Sequence, residues 1–200
     1  MPRELITICV GQCGNQIGSK FWDFALREHA LHARDGRFDD AMSSFFRNVD
    51  ASGDMMPVGS AIRSLRARAV LVDMEEGVLR SVLRSGLGEL FDQSLTVAST
   101  SGSGNNWAQG HCSYGPQYGA AIRECVRRCA ETCDSLQSFL MVHSLGGGTG
   151  SGLGTYTLGL LRDEFPDVFR FAVSIFPSEE DHVITSPYNR HVRPVPLRTR

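Results

Sequence analysis

Short apolar runs alternate along this chain with stretches of helical period. Residues 5–10 are apolar and β-branched enough for a short buried strand. Gly11-Gln12-Cys13-Gly14 breaks it, and Ile17, Phe21, Phe24, Ala25 and Leu31 then recur at helical spacing, predicting an amphipathic helix over 15–31. Residues 32–62 are mixed and read as an excursion with a short helix around 41–46. Further strands are predicted over 67–74, 95–98, 139–143 and 168–176. Helices are predicted over 78–83, 118–136 and from 153 to 161. No internal repeat is visible.

Strands alternating with helices imply an α/β fold: a Rossmann-like, mostly parallel sheet with helices on both faces. The polar, turn-rich segments 11–16, 73–77, 101–106, 146–152 and 177–182 all follow strands. In such sheets ligands bind outside the carboxyl ends of the strands, so these five loops should meet at one crevice.

The densest chemistry lies in one of them, Gly146-Gly147-Gly148-Thr149-Gly150-Ser151-Gly152. A glycine-dense loop between a buried strand and a helix start lets backbone N–H groups converge on an anion, and the helix dipole adds to the attraction. A phosphate chain, hence a nucleotide, is the expected ligand. A Walker A loop is excluded by its spelling, because the only lysine, Lys20, lies elsewhere. A dinucleotide fingerprint is not spelled either: in each register its third glycine is replaced by Ser151, Leu153, Thr155 or Thr157. The loop must therefore hold phosphate mainly through its backbone, with a metal ion as the available counter-charge.

Asp73 and Glu75 end a predicted strand two residues apart, and would lie on one side of it if the strand persisted. Beside a phosphate loop they read as magnesium-binding carboxylates; alone they read as a solvated turn pair. Gln12, Cys13, Asn15 and Gln16 open the first helix, where amide side chains can bond a base or ribose, or Asn15 can cap. Asn105 and Asn106 can cap the next element or touch phosphate. Cys125, Cys129 and Cys133 lie at helical spacing, but they continue an apolar stripe with Ile122, Val126 and Leu136, which favours core packing over zinc. His143 inside a strand reads as a core histidine rather than a base. No G-x-S-x-G elbow appears.

At 200 residues the chain can bury a real core, and a net charge of −2 gives no support to a nucleic-acid binder. It shows no transmembrane run and no charged-then-apolar leader, and its six cysteines read as reduced thiols, so a cytosolic address is expected.

Gly11-Gln12-Cys13-Gly14-Asn15-Gln16-Ile17-Gly18, Asn105-Asn106-Trp107, the glycine loop and Pro187-Tyr188-Asn189, in that order, together resemble the tubulin superfamily. The segments 43–50, 73–77 and 183–189 are most similar to its epsilon branch. The resemblance implies a GTP- and Mg2+-binding cytoskeletal protein of the cytoplasm, associated with centriole or basal-body microtubules. Its implied partners are other tubulin-family subunits and centriolar proteins, with no nucleic acid and no membrane. Carried over, Gln12, Cys13, Gln16 and Ser144 would lie by the base, sugar or phosphates. Gly104, Asn105, Gly146, Gly147, Gly148, Thr149 and Gly150 would contact phosphate, and Asp73 and Glu75 would sit near magnesium. No catalytic residue is assigned, because in the family the residue promoting hydrolysis comes from a neighbouring subunit, from a region this chain does not contain.

The chain also departs from the family. The loop after Pro177 runs one residue short against the beta branch, His182 falls where an acid is usual, and Ser186 stands where the beta branch has a glutamate near the ribose. From Arg190 the text has two prolines and four arginines and resembles no family continuation. The expected organisation is an incomplete nucleotide-binding domain over 1–189 and a divergent, disordered basic tail over 190–200. Two other readings remain. One is a truncated product whose nucleotide binding is weak or lost, because an open sheet exposes apolar surface. The other is a dinucleotide-dependent oxidoreductase, against which the missing fingerprint speaks.

Overall fold

The computed structural model describes residues 3–32, 34–178 and 183–191. In chain order the elements are β1 (Glu4–Val10), α1 (Gly11–His32), α2 (Asp40–Phe45), β2 (Phe46–Val49), β3 (Ser64–Ala67), β4 (Ala69–Asp73), α3 (Glu76–Arg84), β5 (Thr96–Ala98), α4 (Gly115–Glu131), β6 (Leu136–Ser144), α5 (Gly154–Glu164), β7 (Phe169–Ile175) and α6 (Ser186–His191). Two π-helical turns, Gln109–Tyr114 and Thr149–Leu153, lead into α4 and α5.

Five strands form a wholly parallel sheet in the order β5-β4-β1-β6-β7. From β1 the chain builds outward through β4 and β5, then returns to place β6 on the other side of β1. The space above β1 and β6 is therefore the switch point of the sheet. Strand alternation gives the sheet two apolar faces. Ile6, Ile8 and Val10 of β1 pack with Val70 and Val72 of β4 and Phe139 and Met141 of β6 beneath α4 and α5. Cys9, Ala69, Leu71 and Val142 face the other way, against Trp22 of α1, Met42 of α2 and Leu79 and Val82 of α3. On this second face Trp22 meets the rings of Phe21 and Phe46 edge-on, with centroids 5.3 Å apart in both cases.

The amino ends of the strands are tied by a buried ion pair. Arg68 and Glu4 lie 3.2 Å apart with both side chains about 1% exposed. Arg68 also donates to the carbonyls of Ser43 (3.1 Å) and Thr132 (2.8 Å), while the Glu4 carboxylate accepts from the backbone N–H groups of Asp134 (3.0 Å) and Ser135 (2.6 Å). One charge pair thus joins α2, the start of β4, β1 and the turn before β6, and its hydrogen bonds compensate for lost hydration.

Several elements differ from the sequence-based expectation. α1 starts at Gly11 instead of residue 15, so the expected break is a helical turn. The 32–62 excursion contains β2, which pairs antiparallel with β3, a two-stranded sheet that the sequence pattern did not predict. α4 ends at Glu131, five residues short of the expected end; Cys133 and Leu136 lie past it but still pack against the core under α4. Cys125 and Cys129 are buried in that core, all six cysteines are free, and no three potential metal ligands cluster among the described residues. The predicted 67–74 strand divides at Arg68 into the end of β3 and all of β4. Residues 190 and 191, assigned to the tail, complete α6, and 192–200 and His182 lie outside the described residues. Phe169, Phe171 and Val173 alternate on one face of edge strand β7 and are 64%, 56% and 47% exposed. No helix among the described residues is long and apolar enough to cross a membrane.

Candidate functional site

The carboxyl ends of β1, β4, β5 and β6 open into one polar cleft of about 220 Å³ at the switch point. Val10, Gly11, Gln12, Cys13 and Gln16 line it from the β1–α1 junction. Asp73 and Glu75 line it after β4, and Ser103 and Asn105 after β5. Ser144 ends β6, and Gly147, Gly148, Thr149 and Gly150 close the far side. Every predicted site residue except Gly104 and Gly146 is a lining residue. Gly104 is exposed in the left-handed region (φ +54), and Gly146 is turned into the fold, its N–H donating to Ser144 Oγ at 3.1 Å. The fifth expected loop, 177–182, contributes no lining residue among those described.

Backbone packs directly on backbone here. Gly11 has φ +76, and a Cβ on it would come within 2.8 Å of the Gly150 nitrogen. Only glycine allows both the turn out of β1 and this approach to the loop. The loop is fastened from several directions. Ser103 Oγ and Thr149 Oγ1 lie 2.9 Å apart, and the Ser151 hydroxyl donates to the carbonyl of Gly147.

His143 braces the loop from below. Its Nδ1 lies 2.8 Å from the Gly150 carbonyl and its Nε2 lies 2.8 Å from Ser174 Oγ. A carbonyl only accepts, so Nδ1 carries the proton and the Ser174 hydroxyl donates to Nε2. Burial lowers the His143 pKa, so the ring is neutral, a satisfied core histidine as its position in a strand suggested. Asn15 is not a cap: its Nδ2 donates to the carbonyls of Gly11 (2.9 Å) and Val72 (3.0 Å), locking α1 onto the end of β4. Asn106 does cap, accepting from the Ala108 N–H at 2.9 Å.

The carboxylates are placed differently from a persistent strand. β4 ends at Asp73, so Glu75 reaches the cleft from a bend, exposed, while Asp73 is 2% exposed. Asp73 Oδ1 accepts from the Glu75 N–H at 3.3 Å, and Oδ2, buried, has no partner. Burial, with a smaller push from the charge of Glu75, raises the Asp73 pKa to about 6. A buried carboxylate oxygen without a donor, on the wall of a polar cleft, is what a hard cation would satisfy, so the residues fit Mg2+. Cys13 is half-buried and its pKa is raised by burial, so it is a neutral thiol lining the wall and not a thiolate. Val10, Gly11 and Ser103 were missed as lining residues. The glycine and serine of the very segments singled out, Gly11 and Ser103, were legible in principle.

A parallel sheet with a glycine-rich loop and a polar cleft at its switch point defines a doubly wound α/β class, and the Tubulin/FtsZ family model, GTPase domain, matches residues 4–192. The chain belongs to the Tubulin/FtsZ family. It is 56% identical over 189 residues to the tubulin epsilon chains of Mus musculus and Homo sapiens, covering 93% of this chain and 40% of each relative. It is 42% identical over 192 residues to the tubulin beta chain of Pyropia yezoensis, again covering 40% of that relative. The chain thus spans about two-fifths of the length of these relatives.

Proposed function

We propose that this chain is a GTP-binding, tubulin-type cytoskeletal protein whose cleft holds the phosphates of GTP. The observation that carries the reading is the convergence of four strand-end loops on a single cleft at the switch point. Its volume of about 220 Å³ falls below the roughly 300–1,000 Å³ of sites that enclose a whole ligand. It suits a phosphate chain. Gln16 lines both this cleft and a larger groove of about 590 Å³ between α1 and α3, walled by Ile17, Val78 and Val82. We assign the sugar and base to the Gln16 side, where an amide meets apolar surface.

In this reading Gly147, Gly148, Thr149 and Gly150 hold phosphate oxygens through backbone and hydroxyl groups, with Gly104 and Gly146 shaping the loops. Gln12, Cys13 and Ser144 line the path between phosphate and sugar. Asp73 and Glu75 would hold Mg2+, which neutralises phosphate charge when bound. We assign this chain the binding and orientation of the nucleotide and no hydrolytic residue, and extend its nucleotide-binding unit from the expected 1–189 to the end of α6 at His191. The tubulin names of its relatives support a cytoplasmic, cytoskeletal setting with other tubulin-family subunits as partners. Likeness to epsilon chains favours centriole or basal-body microtubules and centriolar proteins.

Calorimetry on residues 1–200 tests the reading, with Mg2+ present and with ATP and a nicotinamide dinucleotide as competitors. Saturable binding of GTP that neither competitor displaces is expected. A folded chain that binds no GTP, or prefers the dinucleotide, would remove it.

A further inference from the structure

Asn189 of α6 lies outside the cleft, yet its side chain touches both loops that build the far wall. It is 4% exposed. Nδ2 donates to the carbonyl of Gly146 at 2.8 Å and to the carbonyl of Asn105 at 2.8 Å. Oδ1 accepts from the Trp107 N–H at 3.2 Å. The amide can face only this way: flipped, an oxygen would oppose two carbonyls and an NH2 would oppose an N–H. Asn105 is the one non-glycine residue with positive φ (+54) among the described residues, and its carbonyl is one of the two that Asn189 holds. One buried side chain thus fixes the entry to the glycine loop, the left-handed peptide opposite it, and the first turn after that peptide.

We propose that Asn189 is a positioning residue that couples the glycine loop to the 101–106 loop, so that the two walls of the cleft order together. The role in ligand binding rests on the nucleotide reading above. Asn189 contributes no atom to the cleft, so its action is through the two carbonyls. Coupling between sites is reciprocal, so a ligand that orders both loops must in turn stabilise α6. An asparagine with only a packing role would not transmit that effect.

The test compares the wild-type chain with Asn189→Asp by calorimetry with Mg2+-GTP and by hydrogen exchange read on peptides. Aspartate keeps the acceptor for Trp107 but turns a carboxylate oxygen toward two carbonyls. Expected are slower exchange in α6 when wild type binds GTP, faster exchange in both loops of the variant, and a GTP Kd raised at least about tenfold. A folded variant that loosens only one loop, or neither, overturns the coupling; so does an unchanged Kd in a wild type that binds. If wild type binds no GTP while the variant loosens both loops, the nucleotide reading falls and the coupling stands. Should Asn189→Asp not fold, Asn189→Ser, which retains one donor on a shorter arm, must loosen both loops together; loosening of one alone overturns the proposal.

Discussion

Replacing Asp73 by Asn tests whether the buried carboxylate is held in want of a cation. Its pKa rises from 3.8 to about 6 on folding, chiefly through burial. The folded state disfavours the ionised form, so the cost is absent below pH 3.8, grows as pH rises toward 6, and is complete above that. At 1.36 kcal/mol per unit, about two units amount to about 3 kcal/mol of lost stability at pH 7.5. Asparagine has the same shape and never ionises. It also leaves one buried polar atom unpartnered, which adds a pH-independent offset of either sign. The pH-dependent part has one sign only. Urea unfolding of both proteins, with chelator present, should show the stability difference moving in favour of Asp73→Asn by about 2–3 kcal/mol between pH 4 and pH 7.5. Groups that do not interact with Asp73 cancel in the difference; the Glu75 repulsion, already part of the Asp73 shift, does not. With Mg2+ and GTP added at pH 7.5, wild type should regain more than the variant. A difference that does not change with pH would refute the assignment of a strained carboxylate, whatever the ligand does.

Gly148→Val should raise the Kd for GTP at least about a hundredfold by calorimetry, because a Cβ there falls 2.5 Å from both the Asn106 nitrogen and Ser103 Oγ; unchanged affinity removes the loop from the site. Cys13 lines the cleft while Cys112 is exposed elsewhere, so GTP should slow alkylation of Cys13 and leave Cys112 untouched, read by mass spectrometry of labelled peptides. Cys9 and Cys129, with pKa values pushed up to about 12 by burial, should resist labelling until the protein unfolds. Glu4→Gln should lower unfolding free energy in urea by about 3–5 kcal/mol, since it strands the buried Arg68 charge; a loss under about 1 kcal/mol would mean that the pair is not sealed from water.

The main sheet was legible because each of its strands is a short apolar run bounded by turn residues, and the loops at its carboxyl end follow from parallel connectivity. The β2–β3 pair was not legible. Phe46–Val49 is wholly buried although it contains Arg47 and Asn48, whose partners lie far away: Asn48 bonds Ser60, Ala61 and Arg63, and Arg47 faces Asp92 at 3.6 Å. Such burial leaves no period in the local text. The end of α4 was misplaced for a related reason. Apolar spacing runs on to Leu136, but the Glu4 carboxylate takes the N–H groups of Asp134 and Ser135. Within the site, residue type revealed the carboxylates and glycines. It marked Asn189 only as part of a motif and did not reveal its role, because a strut between loops is defined by distant carbonyls and not by its neighbours in sequence.

The Glu4–Arg68 knot sits at the end of the sheet opposite the cleft. Its bonds gather α2, β1, the start of β4 and the turn before β6, whereas the loops around the cleft are held to one another by the Ser103–Thr149 contact and by Asn189. The molecule therefore has one pole tied by a buried charge pair and an opposite pole whose two cleft loops, coupled through Asn189, open as one unit. Loop openings at the carboxyl ends of the strands need not dismantle the sheet beneath them, and a ligand entering there meets a scaffold already folded.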